Sequence, residues 1–321
     1  MALRASVVVP VWNGRRWLPG LVASLRRQTV APLEVIAVDN GSTDGSREWL
    51  ADHAPEVRVL ALGENTGFAV AANRGIVAAQ GDAIALVNTD VELEAGWLGH
   101  ALAALGPDGI GSVATKMVDL ENPALLYDAG DILRRDGVCE QRGRFHRDVG
   151  LWDQPGEVFA ACAGAAVYRR EALDAVGGFD ERFFAYMEDV DLGLRLQMAG
   201  WRCAWEPRAV ARHHGGGSTE QLARPVTSWA ERNTLLLVAK AFPVSWLPLV
   251  LYRQVAWLVN AAWKGGLGAH LRGLFAAFPL LPAMWRDRRR LLRDAVNPVE
   301  VVVPPRAIRG PAAGGHPRGL A

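Results

Sequence analysis

Between residues 5 and 90, short runs of β-branched residues alternate with stretches whose apolar side chains recur every third or fourth position. Ser6–Val11 reads as a strand, after which Trp17, Leu21 and Leu25 repeat at helical spacing. Leu33–Val38 is the next strand, followed by the polar loop Asp39–Ser46 and a short helix through Trp49. Val57–Ala61 is a third strand, Phe68–Ala79 a helix and Ala83–Val87 a fourth strand. Strands separated by helices of this length predict an α/β fold with a doubly wound, mostly parallel sheet. Further on, the small-residue run Phe159–Tyr168 reads as a strand packed closely against a helix. From Glu188, Leu192, Leu196 and Ala199 share a helical face until Gly200 ends the run.

Three of these strands end in polar residues. Pro10-Val11-Trp12-Asn13 closes the first, Asp39-Asn40-Gly41-Ser42 the second and Asn88-Thr89-Asp90 the fourth. Ligands of open α/β sheets collect at the carboxyl ends of the strands. Asp39 could accept a hydrogen bond from a pyrimidine N–H, with Gly41 turning tightly beneath the base. Asn88-x-Asp90 suits Mg²⁺ or Mn²⁺ bound by one or two protein oxygens and completed by substrate phosphates. Each tripeptide alone also reads as a turn. Neither of the first two strands is followed by GxGxxG or GxxxxGK[ST], which argues against an ordinary dinucleotide-binding domain and a P-loop.

The segment from Gly177 to Leu192 sets five carboxylates among four aromatic rings where a loop becomes a helix. Glu188 and Asp189 fall at the first turn, where the helix dipole favours negative charge. A carboxylate held there between aromatic walls is a candidate general base for a bound hydroxyl. The alternative is an ordinary helix cap with solvated acids.

Half of the residues are hydrophobic, enough for a full core in 321 residues. The net charge of +1 hides an asymmetry: residues 240–321 carry +9, leaving −8 for the rest. The acidic part holds the candidate site, and the basic part should face something anionic. In that basic part, Trp246–Ala262 is apolar but broken by Pro248 and Arg253-Gln254. With Leu274–Trp285 and the cluster Arg286–Arg290 it suits a helix pair in the headgroup region of an anionic membrane. It suits equally a helical cap on the catalytic part or on a second subunit. The composition from Pro298 onward predicts disorder. Three cysteines without CxxC fit reduced thiols, and no signal-peptide pattern precedes the first strand, so a cytoplasmic location is expected.

Several motifs, in order, resemble family 2 glycosyltransferases of GT-A fold. They are Val8–Asn13, Val38–Ser46, Asn65–Ile76, Asn88-Thr89-Asp90, Gly178-Phe179-Asp180 with Glu188–Leu192, and His213 before Gly215–Ser218. The Asn65–Phe68 stretch and the Arg232-Asn233 pair resemble the rhamnosyltransferase-like branch. The resemblance covers residues 5–240 and implies a Rossmann-like GT-A catalytic domain over 1–240. Its nucleotide-binding half is 1–115 and its acceptor-side half 116–240. A helical appendage over 241–297 and a tail over 298–321 complete the chain.

The resemblance also assigns residues. Asp39 would read the nucleobase in a pocket lined by Pro10, Trp12 and Asn13, with Asn40, Gly67, Asn73, Asn88 and Gly164 also on the donor. Asp90 and His213, or its neighbour His214, would hold the divalent cation. Asp189, with Glu188, would be the catalytic base, and Phe184, Tyr186 and Asp191 would face the acceptor. The implied reaction moves a sugar, such as rhamnose from a dTDP donor, with inversion onto a lipid-linked or polysaccharide acceptor for cell-surface glycan. The work would be done at the inner face of the cell membrane, with no nucleic-acid partner. The competing class is a catalytically silent sugar-nucleotide-binding or scaffolding protein of the same fold.

Overall fold

The computed structural model describes residues 3–215 and 226–305. In chain order the elements are β1 (Ala5–Val11), α1 (Leu18–Arg26), β2 (Glu34–Asp39), α2 (Ser46–His53), β3 (Arg58–Ala61), α3 (Phe68–Ala78), β4 (Ala83–Val87), β5 (Val91–Leu93) and α4 (Trp97–Leu105). Then follow β6 (Ile110–Asp119), β7 (Leu126–Asp128), β8 (Asp131–Leu133), β9 (Cys139–Gln141), β10 (Gly156–Val158), β11 (Ala165–Arg169), α5 (Arg170–Val176), α6 (Glu188–Met198) and β12 (Arg202–His213). The chain closes with α7 (Val226–Ala241), α8 (Leu247–Trp263), α9 (Leu267–Ala277), α10 (Leu281–Asp294) and α11 (Val299–Val302).

The main sheet has the order β10-β12-β6-β11-β4-β1-β2-β3. The four expected strands pair in parallel as β4-β1-β2-β3. β11 enters antiparallel between β4 and β6. Two apolar layers sandwich the sheet. Leu18, Leu21 and Leu25 of α1, Trp49 and Leu50 of α2 and Trp97, Leu98 and Ala101 of α4 cover one face. Ala69, Ala72 and Ile76 of α3, Leu173 of α5 and Leu192 and Leu196 of α6 cover the other. This is the doubly wound arrangement that the alternating pattern predicts.

A third apolar cluster explains the appendage. α6 turns a second face, Val190, Leu194 and Met198, toward Leu236 and Leu237 of α7, and Trp246, Val250, Ala277, Met284 and Val299 join them. α9 approaches α7 so closely that a Cβ at Gly273 would meet the Ser228 carbonyl oxygen at 2.6 Å. The C-terminal helices therefore cap the catalytic part with one face. Their other face is exposed and apolar, including Leu251, Tyr252, Val259, Trp263, Phe275, Phe278 and Trp285. By length and composition, Leu267–Asp294 is the described helical run that could cross a membrane, with a mean hydropathy of 1.2 in its most apolar window.

Three expectations change. The division near residue 115 falls inside β6, whose pairing on both sides keeps the sheet continuous. Of the run Phe159–Tyr168 only Ala165 onward is strand, and Phe159–Gly164 forms irregular backbone at the site. The order expected to stop at Pro298 continues: Val299, Val302 and Val303 are buried, and the Arg135 guanidinium donates to the carbonyls of Val303 at 2.9 Å and Glu300 at 3.0 Å. Ser218 and the tail from Arg306 lie outside the described residues.

Candidate active site

The carboxyl ends of β1 and β4 open, with the Phe159–Gly164 segment and the turn before α6, into one cavity of about 930 Å³. Pro10, Trp12, Asn40, Gly67, Asn88, Asp90 and Gly164 line it, and so do Phe184, Tyr186, Glu188 and Asp189. Residues more than a hundred positions apart thus share one space.

Asn40 is a brace as much as a contact. Its amide donates to Asn65 Oδ1 and to the Gly67 carbonyl, both at 3.1 Å, and its Oδ1 accepts from the Thr66 N–H at 2.9 Å. Gly67 (φ +91°) leaves room for the acceptor-side turn, since a Cβ there would meet the Phe184 ring at 2.6 Å. Asn13 and Asp39 stand at the same edge but do not line this cavity. Asp39 is buried, and its Oδ1 accepts from the Ser42 N–H at 3.2 Å.

Two sequence-expected residues are committed elsewhere. The Asn73 carboxamide clamps the backbone of Phe179, donating to its carbonyl and accepting from its N–H, both at 2.9 Å. Asp191 is fully buried and accepts from Arg195 Nε and Lys240 Nζ, both at 2.7 Å. It points from α6 toward α7 because α6 is covered on two faces. Both residues hold the scaffold, and neither reaches the cavity.

Asp90 and His213 meet at the ends of neighbouring strands, Nε2 lying 3.2 Å from Oδ1 with both side chains buried. The His213 ring stands edge-on to Tyr127, centroids 4.3 Å apart. His214 also borders the cavity but packs on Trp17 at 4.2 Å and approaches Glu121 at 3.6 Å. Among the described residues no cluster of three or more His, Cys, Asp or Glu side chains has the geometry of a complete metal site. A buried carboxylate beside an imidazole nitrogen still fits a cation whose remaining ligands come from a diphosphate.

Asp189 and Glu188 differ in environment. Asp189 Oδ2 accepts from the Ala163 N–H at 3.1 Å, and Oδ1 from the Val190 N–H at 2.9 Å. Burial raises its pKa while these backbone donors pull it back. Burial, with Asp189 and Asp191 nearby, pushes Glu188 well above the usual carboxylate range, and its Oε2 has no partner. Burial thus pushes both carboxyls upward, and Asp189 is the one whose charged form the N–H groups of Ala163 and Val190 stabilise.

The turn that delivers this pair is strained. Phe184, Tyr186 and Met187 all have positive φ, at 63°, 71° and 64°. Asn233 of α7 donates to the carbonyls of Phe183, Ala185 and Tyr186, and Arg232 to those of Arg182 and Phe183. Phe184 stacks on Trp229, with centroids 4.6 Å apart and planes at 8°.

Sequence reasoning passed over Tyr127, Asp128, Asp131 and Glu231. Asp131 and Tyr127 line the cavity, and Asp128 is buried beside them. Burial and the charge of Asp189 push Asp128 up to about 7 and Asp131 well above the normal range. The available signal was the acids of Leu126–Leu133 falling in short strands around Gly130. The thiols of Cys139 and Cys162 are also at the cavity, with burial raising both pKa values, and all three cysteines are free.

Comparison with known proteins gives this geometry its context. The profile of glycosyl transferase family 2 matches residues 6–177, and that of glycosyl transferase family group 2 matches residues 136–286. The chain is 31% identical over 316 residues to the N-acetylglucosaminyl-diphospho-decaprenol L-rhamnosyltransferase of Mycobacterium tuberculosis, covering 89% of this chain and 96% of that protein. It is 33% identical over 219 residues to the pre-mycofactocin glycosyltransferase of the same species, covering 65% of this chain and 42% of that one. Among solved structures, a mannosyltransferase of Pyrobaculum calidifontis in complex with GDP-Man and Mn²⁺ has a TM-score of 0.53 at 19% identity, covering 92% of this chain and 86% of that one. GalNAc-T7 with UDP, GalNAc and Mn²⁺ has a TM-score of 0.60 at 16% identity, covering 74% and 48%. The sheet is therefore that of GT-A glycosyltransferases, and the chain is a glycosyltransferase that belongs to glycosyl transferase family 2, in its rhamnosyltransferase-like branch.

Proposed function

We propose that this enzyme transfers rhamnose from dTDP-rhamnose, with inversion, to a sugar carried on a lipid diphosphate at the inner face of the cell membrane. The observation that carries the reading is that one cavity is lined by Asp189 and by the Asp90–His213 pair. The rhamnosyltransferase from Mycobacterium tuberculosis, similar along nearly its whole length, supports the choice of donor and acceptor.

In this reading the nucleotide lies along Pro10, Trp12 and Asn40, with Asp39 behind them. The sugar rests against the backbone at Gly164, where no side chain intrudes. Asp90 and His213 would hold a divalent cation, Mn²⁺ or Mg²⁺, which neutralises charge on the leaving diphosphate. Asp189 accepts the proton of the acceptor hydroxyl as that oxygen bonds to the anomeric carbon. The bond from this carbon to the diphosphate breaks, and its electron pair leaves on the diphosphate oxygen. One displacement from the face opposite the leaving group inverts the centre, by the same logic as for glycosidases.

The exposed apolar face of α8, α9 and α10, with Arg286, Arg289 and Arg290 exposed beside it, suits docking on an anionic membrane that presents the lipid-linked acceptor.

The test is a panel of dTDP-, UDP- and GDP-sugars scored for Mn²⁺-dependent thermal stabilisation, followed by transfer to N-acetylglucosaminyl-diphospho-polyprenol. A bound donor raises apparent stability by mass action. Stabilisation and transfer with dTDP-rhamnose are expected. Binding without transfer or donor hydrolysis would leave a silent sugar-nucleotide-binding protein, and transfer from another donor would replace rhamnose.

A further inference from the structure

The cavity continues past the catalytic carboxylates. Its far wall is Thr227, Ala230, Glu231 and Thr234 of α7 and Trp257 of α8. α8 is otherwise an outward-facing helix, with only Val250 buried. It is pinned over the opening by Arg253, whose guanidinium donates to Asp136 Oδ2 at 3.0 and 2.8 Å. The indole of Trp257 is thereby held at the cavity while Leu251, Val255 and Val259 of the same helix face outward.

Behind Trp257 the three helices carry uncommitted polar groups. Glu231 Oε1 lies 2.9 Å from Nδ1 of His270, on α9. Glu231 Oε2 and His270 Nε2 are buried without a partner, as are both side-chain polar atoms of Gln254, one turn before Trp257. Folded proteins satisfy nearly all such groups. None of the contacts that hold α7 on the strained turn uses Glu231, because Arg232 and Asn233 make those.

We propose that Trp257 and Glu231 form the subsite for the acceptor's sugar ring, Trp257 stacking on its apolar face and Glu231 hydrogen-bonding its hydroxyl or amide groups. This rests on the glycosyl-transfer reading above and adds to it the place where the acceptor sits. Burial pushes the Glu231 carboxyl up to about 7 and lowers His270, so near neutrality Glu231 is present in both its neutral and its ionised form. Either form hydrogen-bonds sugar hydroxyl or amide groups, the neutral carboxyl donating and accepting and the carboxylate accepting. The subsite lines the same cavity as Asp189, Pro10 and Trp12. Leu251, Val255 and Val259 of the same helix leave an exposed apolar surface against which a lipid chain can lie.

The probe is N-acetylglucosaminyl diphosphate carrying a short prenyl chain, titrated calorimetrically into the full-length protein and its E231A, E231Q and W257A variants. Wild type should bind, with E231A and W257A weaker by about tenfold or more, the loss of one or two buried hydrogen bonds or a stacking face. E231Q keeps the shape and should fall between, which retains the test should E231A fail to fold. Wild-type affinity in all variants, or no binding to wild type, overturns the assignment. Stabilisation by dTDP-rhamnose, measured on the same samples, reports separately on the donor reading.

Discussion

The carboxamide nitrogen of Asn233 lies 2.6 Å from the backbone carbonyl of Tyr186, tying α7 to the one turn that delivers Glu188 and Asp189. The same nitrogen reaches the carbonyls of Phe183 and Ala185, and Asn233 is fully buried. Three positive-φ residues in this turn persist because α7 over-determines them.

Asn233→Ala should therefore lower turnover more than it raises the donor KM. Leaving buried carbonyls without donors costs about 1–3 kcal/mol of stability. A turn displaced by about 1 Å can cost on the order of 10²-fold in rate. Steady-state kinetics with the folded fraction checked by circular dichroism decides it: unchanged turnover removes the clamp's role in positioning Asp189.

Asp189→Asn should retain donor binding and lose transfer by at least ~10²-fold, because the amide is isosteric, accepts from only one of the Ala163 and Val190 N–H groups, and cannot take a proton. More than about a tenth of wild-type turnover would remove Asp189 as the base and turn attention to Glu188.

Asp90→Ala and His213→Ala should each weaken donor binding in the presence of Mn²⁺ and change it little when the ion is chelated. The carboxylate and imidazole are 3.2 Å apart, close enough to share one cation. Equal loss with and without metal would mean direct contact with the nucleotide sugar.

Asp128 gives a pH dependence. Its Oδ1 is buried without a partner, and its folded-state pKa of about 7 exceeds the ordinary 3.8. A raised value means that its contribution to stability is fully present below 3.8 and is lost as pH rises through about 7. Asp128→Asn cannot ionise, so it should raise the melting temperature relative to wild type most at pH 8, by a smaller margin at pH 5 and little at or below 3.8. Equal shifts at all these pH values would assign the effect to packing.

Full-length protein should co-sediment with vesicles containing anionic lipid and dissociate as salt rises. Each Lys or Arg near such a surface contributes about 1 kcal/mol, decaying within a Debye length. Replacing Arg286, Arg289 and Arg290 with Ser should abolish low-salt binding. Asp287 of the same cluster is held by Arg182 at 2.6 Å, so its negative charge is already offset. Indifference of wild type to the vesicles would leave the apolar face to a protein partner.

Much was legible in the chain alone. The parallel strands β1 to β4 and their helices follow from local periodicity, and the polar strand ends are side chains next to the segments that position them. Asp90, Glu188 and Asp189 were found because each sits at a strand end or helix start that its own neighbours in sequence define. What the chain could not decide is which side chains a distant element captures. Asn73 and Asp191 carry the right chemistry in the right motifs, yet Phe179 claims one, and Arg195 and Lys240 claim the other. Asp131 and Glu231 lie in unremarkable sequence and reach the cavity only because β8 and α7 are packed around it. The C-terminal helices were ambiguous for the same reason. Their amphipathic pattern specifies an apolar face, but burial against α6 and α7 is a long-range contact, and only the tertiary structure decides which face the protein covers and which it leaves exposed.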